Sequence, residues 1–390
     1  MLIGYTSADA MPCGSQAVKP FPSVRQKNPW SFLWLYRPAV PTPRAQAIQV
    51  VHMAHAMASR GHDVTLAVEP ACGRLSEREV LGYYGLEPLD SLRLHILPSG
   101  KTMASFAFRA VMARWVARTR GQGIVYARSK RYAREMLRVY GRRFHLIVEA
   151  HEVDSLQARE RGEDPRAFLK LEAEVLSAAL GVVTNAPGTL QLLRSVHPGL
   201  PPALVSQNGT HPSRIRAPVG PGEGIGYVGS IRETKDLTTL ARVAARLRWP
   251  VTFVGADADE ARALVAHSEG RLLVEPPLAH RDVPDRLCRF RVLVLPLGRG
   301  LFGEHLSSPL KLWDYLASGV PIVGADVPAL HAAAPGMFRP YVPGDEGSLQ
   351  SAIEAVHQEE ETRRQLVDQA RPRFWNQRAE EIERFVESIV

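Results

Sequence analysis

Three short stretches hold residue types that could act on a phosphorylated, hydroxyl-rich ligand. The first is "GSIRETKDL", Gly229–Leu237, where Arg232 and Lys235 stand three residues apart between a β-branched run and a helical pattern. Two cations at the carboxyl end of a strand suit a diphosphate. A guanidinium can grip two oxygens at once, and open parallel sheets take their ligands at that edge. The second is "SSPLKLWDYLASGVPIV", Ser307–Val323. It reads as a helix capped by Ser308, with Pro309 in its first turn and Gly319 stopping it before a buried strand. The free amides of such a tip and its dipole favour an anion, and Lys311 adds to that field. Asp314, five residues after Pro309, lies about one and a half turns in. Its carboxylate could accept two hydrogen bonds from a vicinal diol such as a ribose 2′,3′ pair. An ordinary amphipathic helix accounts for Leu310, Trp313 and Leu316, but not for the acid beside them. The third is "EAHEV", Glu149–Val153, with His151 at the end of a strand pattern. Ser155 stands where HExxH would need its second histidine, which excludes that metalloprotease motif. His151 is left as either a ligand to substrate or a capped structural residue.

Other chemistries are excluded or weakened. "GIGYVG", Gly224–Gly229, matches GxGxxG in letters, but its glycines fall inside a strand pattern and Trp249 stands where the ribose-binding acid would be. A nicotinamide or flavin fingerprint needs those glycines between strand and helix. Cys13, Cys72 and Cys288 are widely spaced and odd in number, so neither a disulfide framework nor a zinc site is implied. The formal net charge of +8 admits an anionic partner. No zinc finger, RNP pattern or basic-aromatic repeat accompanies it, so nucleic acid is not expected. "KTMASFAFRAVMARWVARTRG", Lys101–Gly121, is a basic amphipathic stretch that reads as a membrane-surface or acceptor contact, or as a core stripe.

The elements that must position these residues are legible as an alternation. Strand patterns occur at Phe32–Tyr36, Asp63–Val68, Leu92–Leu97, Gly123–Ser129, Leu146–Ala150, Gly181–Ala186 and Ala203–Asn208, with helical patterns between several of them. In "RAQAIQVVHMAHAMASRG", Ala47, Val50, Val51, Ala54 and Met57 share one face and Gly61 ends the helix. After the Pro/Gly-rich "HPSRIRAPVGPGEG", His211–Gly224, the alternation restarts with "IGYVGSI", "VTFVGAD", "LLVEP", "VLVLPLG" and "PIVGAD". Two α/β halves with parallel sheets covered on both faces are expected, joined near residue 215. A chain of 390 residues, 45% hydrophobic and 23% charged, fits two globular domains. No apolar run approaches the roughly 20 residues that span a bilayer. The N-terminus has no basic, apolar leader pattern, so the expected location is cytoplasmic, free or peripheral at the inner membrane face. The sequon at Asn208 is then a chance match.

In order along the chain, these residues resemble the family 4 glycosyltransferases, retaining enzymes of the GT-B fold. "RGHDVTL", "HE" at His151, "NG" at Asn208, "VGSIRETK", "VPDRLCRFRVLVLP", "SPLKLWDYLASGVPIV" and the terminal "FWNQRAEEI" each match a family segment in register, over roughly residues 31–388. The resemblance implies two Rossmann-like doubly wound domains facing across a cleft. Residues 1–30 would be a poorly ordered extension, 31–212 the acceptor domain, 213–372 the nucleotide-sugar domain, and 373–390 a helix crossing back. It implies a nucleoside-diphosphate sugar as co-substrate, with no cofactor or metal. The acceptor would be a sugar, a lipid-linked molecule or a small molecule bearing a hydroxyl. Arg232 and Lys235 would hold the diphosphate. Gly229, Ser230, Ser307, Ser308, Pro309 and Leu310 would line the nucleotide, and Asp314 would bind its ribose. His151 would lie near the anomeric centre. The family's second glutamate, eight residues before the ribose acid, is replaced by Leu306, leaving Glu304 as its substitute. Ser230 replaces the arginine that usually follows the glycine, and Arg232 is read in its stead. The resemblance also admits a nucleotide-sugar 2-epimerase of the same fold, or a degenerate GT-B protein that binds a glycan or partner.

Overall fold

The computed structural model describes residues 29–390 apart from 219 and 221. Residues 1–28 of the expected extension lie outside the described residues. Its last member, Trp30, already leans on the first core, with its amide 3.2 Å from His62 Nδ1. The first sheet comprises β1 (Ser31–Leu35), β2 (Ala39–Val40), β3 (Asp63–Pro70), β4 (Leu92–Ile96), β5 (Ile124–Ala127), β6 (His145–Ala150), β7 (Gly181–Thr184) and β8 (Ala203–Val205). Their order is β3-β1-β5-β6-β7-β8, with β2 and β4 both paired to β3. The second sheet comprises β9 (Ile225–Val228), β10 (Val251–Val254), β11 (Leu272–Glu275), β12 (Val292–Leu295), β13 (Ile322–Ala325) and β14 (Arg339–Tyr341), in the order β11-β10-β9-β12-β13-β14. Every ladder is parallel. These are two doubly wound domains facing across a cleft, the GT-B architecture. Strand order reverses beside β1 and beside β9, and the carboxyl ends of strands at such a reversal are where open α/β sheets hold ligands.

Strands covered by helices on both faces must be apolar on both. Accordingly Phe32, Leu33, Trp34 and Leu35 are all fully buried, as are Val292, Leu293, Val294 and Leu295. The helix Ala45–Ser59 buries the face marked by its periodicity, Ala47, Val50, Val51, Ala54 and Met57.

The chain passes between the domains twice, and the two crossings are bonded to each other. Thr210 N donates to Arg373 O at 2.7 Å, and Trp375 N donates to Thr210 O at 3.0 Å. The crossings lie so close that a Cβ on Gly209 would sit 2.7 Å from the carbonyl carbon of Phe374, so only glycine fits. After the second crossing, the helix Trp375–Ile389 lies on the first domain. Trp375, Ile382 and Val386 are buried in that domain's core, and Trp375 stacks on His52 with the ring centroids 5.9 Å apart. Burial of side chains this large contributes about 1.5–3 kcal/mol each, so the last helix is a structural member of the first domain.

Candidate functional site

The loop after β9 begins at Gly229, whose φ of +148° suits glycine. The side chain of Lys311 runs directly over it, and a Cβ at this position would collide with Lys311 Cε and Nζ. Lys311 Nζ lies 5.1 Å from the centre of the Tyr227 ring, and Lys235 Nζ lies 5.2 Å from that of Phe302. Both lysines are half-buried and Arg232 is exposed. Among the described residues, none of these three cations has an acid within ion-pair distance. Burial, followed by the charge of Arg232, lowers Lys311 to about 8. Burial, Lys311 and Arg232 push Lys235 well below its ordinary value. Like charges held together without a counterion are costly unless an anion joins them. The structure therefore joins Gly229, Arg232 and Lys235 with Lys311, from the other motif, into one electropositive group at a strand's carboxyl end.

The helix tip differs from the capped end expected. The helix spans Leu310–Ala317 with Pro309 at its N-cap, and no side chain caps it. Ser308 is turned to the other domain instead. Its carbonyl accepts from Asn208 Nδ2 at 2.7 Å, and its hydroxyl accepts from Asn208 N at 3.4 Å. Leu310 packs on the first domain's core, and Ser307 is buried. The tip is thus a domain contact as well as a candidate anion site, because Ser308 is drawn across the boundary to Asn208.

Asp314 is likewise not the free carboxylate expected. Arg214 grips it in a fork, Nε to Oδ1 at 2.8 Å and Nη2 to Oδ2 at 3.0 Å, and Thr210 Oγ1 donates to Oδ1. Arg214 also donates from Nη1 to the carbonyl of His280 at 2.6 Å, and His280 Nε2 stands 3.8 Å from Oδ2. Burial would raise the Asp314 pKa, but Arg214 and His280 hold it well below the carboxylate range. Three bonds take three of the four acceptor positions, and the fourth, on Oδ2, faces His280 Nε2. Substituting Asp314→Asn is expected to destabilise the protein by about 3–5 kcal/mol, since it strands the buried Arg214. Urea denaturation measures this, and a wild-type midpoint would refute the pairing.

His151 follows β6, with its side chain 14% exposed and its Nε2 3.4 Å from Glu149 Oε1. Glu149 is wholly buried, and its Oε1 also accepts from Gln49 Nε2 at 2.9 Å and Arg378 Nη2 at 2.7 Å. Arg378, from the last helix, donates through Nε to Ser206 O at 3.0 Å. Burial, with the charge of Arg128 next, lowers His151 to about 4. The imidazole is therefore neutral near pH 7, a hydrogen-bonding group rather than a cation. Glu304 lies half-buried on the π-helical turn Phe302–Leu306, and Leu306, in the position of the missing glutamate, is 2% exposed. That turn packs on the helix Pro187–Val196 of the first domain.

Sequence reasoning missed Glu149, Arg378, Gln49, Thr210 and Arg214. Two signals were available. Glu149 interrupts an apolar parallel strand, and Arg378 falls on the buried stripe of Trp375, Ile382 and Val386. A charge in either place demands a partner.

Residues 222–359 match the family described as glycosyl transferases group 1. The second domain is related to that family. TuaH of Bacillus subtilis (strain 168), named a teichuronic acid biosynthesis glycosyltransferase, is 26% identical over 160 residues. That match spans 39% of this chain and 39% of the relative. Among solved structures, sucrose-phosphate synthase from Thermosynechococcus elongatus superposes with a TM-score of 0.73 at 16% identity, covering 93% of this chain and 99% of that one. HepE of Anabaena, solved in complex with UDP and glucose, gives 0.69 at 12% identity, covering 92% and 100%. A Listeria monocytogenes protein described as a UDP-N-acetylglucosamine 2-epimerase gives 0.61 at 12% identity, covering 93% and 96%. At such identities the likeness shows the fold, which a synthase and an epimerase share. Among the described residues, no group of three or more His, Cys, Asp or Glu is arranged to hold a metal, and no helix is long and apolar enough to cross a membrane.

Proposed function

We propose that the protein is a retaining glycosyltransferase of the family 4 type. It moves a hexosyl group from a nucleoside-diphosphate sugar to an acceptor hydroxyl. The observation that carries this reading is the group of Arg232, Lys235 and Lys311 beside Gly229, with no acid within ion-pair distance among the described residues, on the domain related to glycosyl transferases group 1. HepE, solved with UDP-glucose, supports a nucleotide-sugar donor on this fold.

The diphosphate lies among the three cations and against the helix tip at Ser307–Leu310, with Gly229 and Ser230 beside it. As the bond from C1 of the sugar to the phosphate oxygen breaks, negative charge grows on that oxygen, where the cations already stand. Fixed charges in place before the reaction stabilise it without reorganisation, and no metal is required of this step. The acceptor oxygen attacks C1 from the face the phosphate leaves, and its proton passes to the departing phosphate. The anomeric configuration is retained without a protein nucleophile. Neutral His151, steadied by Glu149, hydrogen-bonds the sugar near C1. Glu304 contacts the ring, and Asp314 Oδ2, shared with His280, takes a ribose hydroxyl.

The first test is a thermal-shift screen against UDP, GDP, dTDP and ADP, since a ligand at 100 times its dissociation constant adds about 2.7 kcal/mol. Product analysis with the matching nucleotide sugars then follows. Transfer to an acceptor with retained configuration supports the reading. Inversion at C2 of the donor sugar assigns an epimerase instead, and absence of any nucleotide shift overturns both. His151→Ala should lower kcat by about 100-fold or more while leaving nucleotide affinity unchanged. Parallel loss of affinity would make the histidine structural.

A further inference from the structure

The net positive charge of this chain comes from one segment. Residues 101–143 hold twelve Lys and Arg against a single acid, Glu135, a net of +11 where the whole chain has +8. The rest of the chain is therefore slightly acidic, at −3. Nine of the twelve cations are exposed.

The segment is built of two adjacent helices, Lys101–Thr119 and Lys130–Tyr140, joined by the Arg109–Glu135 ion pair and the Phe108–Tyr132 ring contact at 5.0 Å. The first helix has two apolar stripes. Ala104, Phe108, Met112 and Trp115 face the sheet and are buried. Met103, Phe106, Ala110, Ala113 and Ala117 recur at helical spacing and are all exposed. Phe106 is 71% exposed, Val139 of the neighbouring helix 63% and Met103 59%, the three most exposed large apolar side chains among the described residues. Arg109 and Arg114 flank the exposed stripe. The stripe's first turns also belong to the functional edge. Lys101 follows the carboxyl end of β4, and Arg37, just past β1, donates to Ser105 Oγ at 3.2 Å. His151 stands at the same edge of the same sheet.

We propose that this face docks on an anionic lipid bilayer. Phe106 and Met103 enter the boundary between headgroups and acyl chains, and the arginines meet lipid phosphates. A soluble polyanion would account for the cations but not for the aromatic and thioether side chains left in water among them. An apolar stripe flanked by cations on a helix lying in the interface plane accounts for both. The consequence for catalysis rests on the transferase reading: with the His151 edge at the membrane, the acceptor is lipid-linked. The docking itself does not rest on that reading.

The test is flotation of the full chain with vesicles of phosphatidylcholine, alone or with about one-third phosphatidylglycerol. Binding is expected only to the anionic vesicles and should weaken as salt rises. Arg114→Gln, on the flank of the stripe, should lower it by about fivefold. Met103→Ser with Phe106→Ser should lower it by about tenfold or more, with circular dichroism and nucleotide-induced thermal shift unchanged. Vesicle binding by a protein that responds to no nucleotide upholds this surface and removes only the transferase reading. Failure to float with anionic vesicles overturns the proposal. Undiminished flotation of the Met103→Ser, Phe106→Ser protein also overturns it, and assigns the surface to a soluble polyanion.

Discussion

Replacing Arg378 with alanine is expected to destabilise the protein by about 3–5 kcal/mol, because it leaves a buried carboxylate without its countercharge. Arg378 and Glu149 are both 0% exposed at their side chains and meet at 2.7 Å. Solvent therefore does not screen the pair. In the wild type, burial would raise the Glu149 pKa, but Arg378 first, then His151 and Arg128, hold it below the ordinary carboxylate range. A folded pKa below the unfolded one gives stability that is present above the unfolded pKa and lost as pH falls through the folded value. Without Arg378 the burial effect gains on the remaining charges and the Glu149 pKa climbs. The destabilisation measured at pH 7 should then shrink as pH falls toward 5, because the variant's Glu149 takes up a proton and sheds the cost of a stranded charge. Chemical denaturation of both proteins across that range measures the difference directly. Glu149→Gln combined with Arg378→Met should recover part of the loss, since it removes both members of the pair and leaves Arg128 as a neighbouring charge. The variant should also turn over more slowly while still binding nucleotide, since His151 would lose the charged floor that orients it. An Arg378→Ala protein with a wild-type midpoint at pH 7 would show that the last helix is not anchored through this pair.

Much of this architecture is legible in the sequence because parallel strands are buried on both faces. "VLVL" in β12 and "FLWL" in β1 leave little else for such runs to be. The strands that escape are those without that signature. β2 is two residues long, and β14 reads "RPY", a proline-bearing edge strand that donates fewer ladder bonds. The loop cations are also legible, since Arg232 and Lys235 lie close in sequence. What they meet is not, because Lys311 arrives from 76 residues further on. The same limit explains Asp314. Its partner Arg214 sits in a Pro/Gly-rich stretch whose composition specifies a connecting backbone and says nothing of where one arginine reaches. Ser308 has a local reading, an N-cap, that is sound for an isolated helix. Here it loses to a long-range one, because Asn208 of the other domain supplies donors to the same oxygens.

Lys235→Met combined with Lys311→Met is expected to move binding and stability in opposite directions. Charge-assisted hydrogen bonds contribute about 1.5–3 kcal/mol each, so losing two should weaken a nucleoside diphosphate by about 100-fold or more. The free protein should nevertheless melt higher, by about 2–4 °C for each kcal/mol of relieved repulsion. The reason lies in the depressed pKa of each lysine. Burial first, then Lys311 and Arg232 for Lys235 and Arg232 for Lys311, disfavour the charged form in the fold by more than Asp314 favours it at Lys311, whereas the unfolded chain carries it freely. A structural ion pair would behave oppositely, its loss lowering the melting temperature. The same shifts set the pH response. Lys311, lowered to about 8, loses its proton as pH rises through that value. Nucleotide affinity should therefore fall between pH 7 and about 9, since an anion binds the protonated form. Binding near pH 8 should also take up protons, because the diphosphate draws both lysines back toward the charged state. Calorimetry in buffers of different ionisation enthalpy counts that uptake in the wild type. In the double variant it should vanish together with the affinity. Retained affinity, or a lowered melting temperature in the absence of nucleotide, would mean that these lysines brace the loop rather than wait for a phosphate.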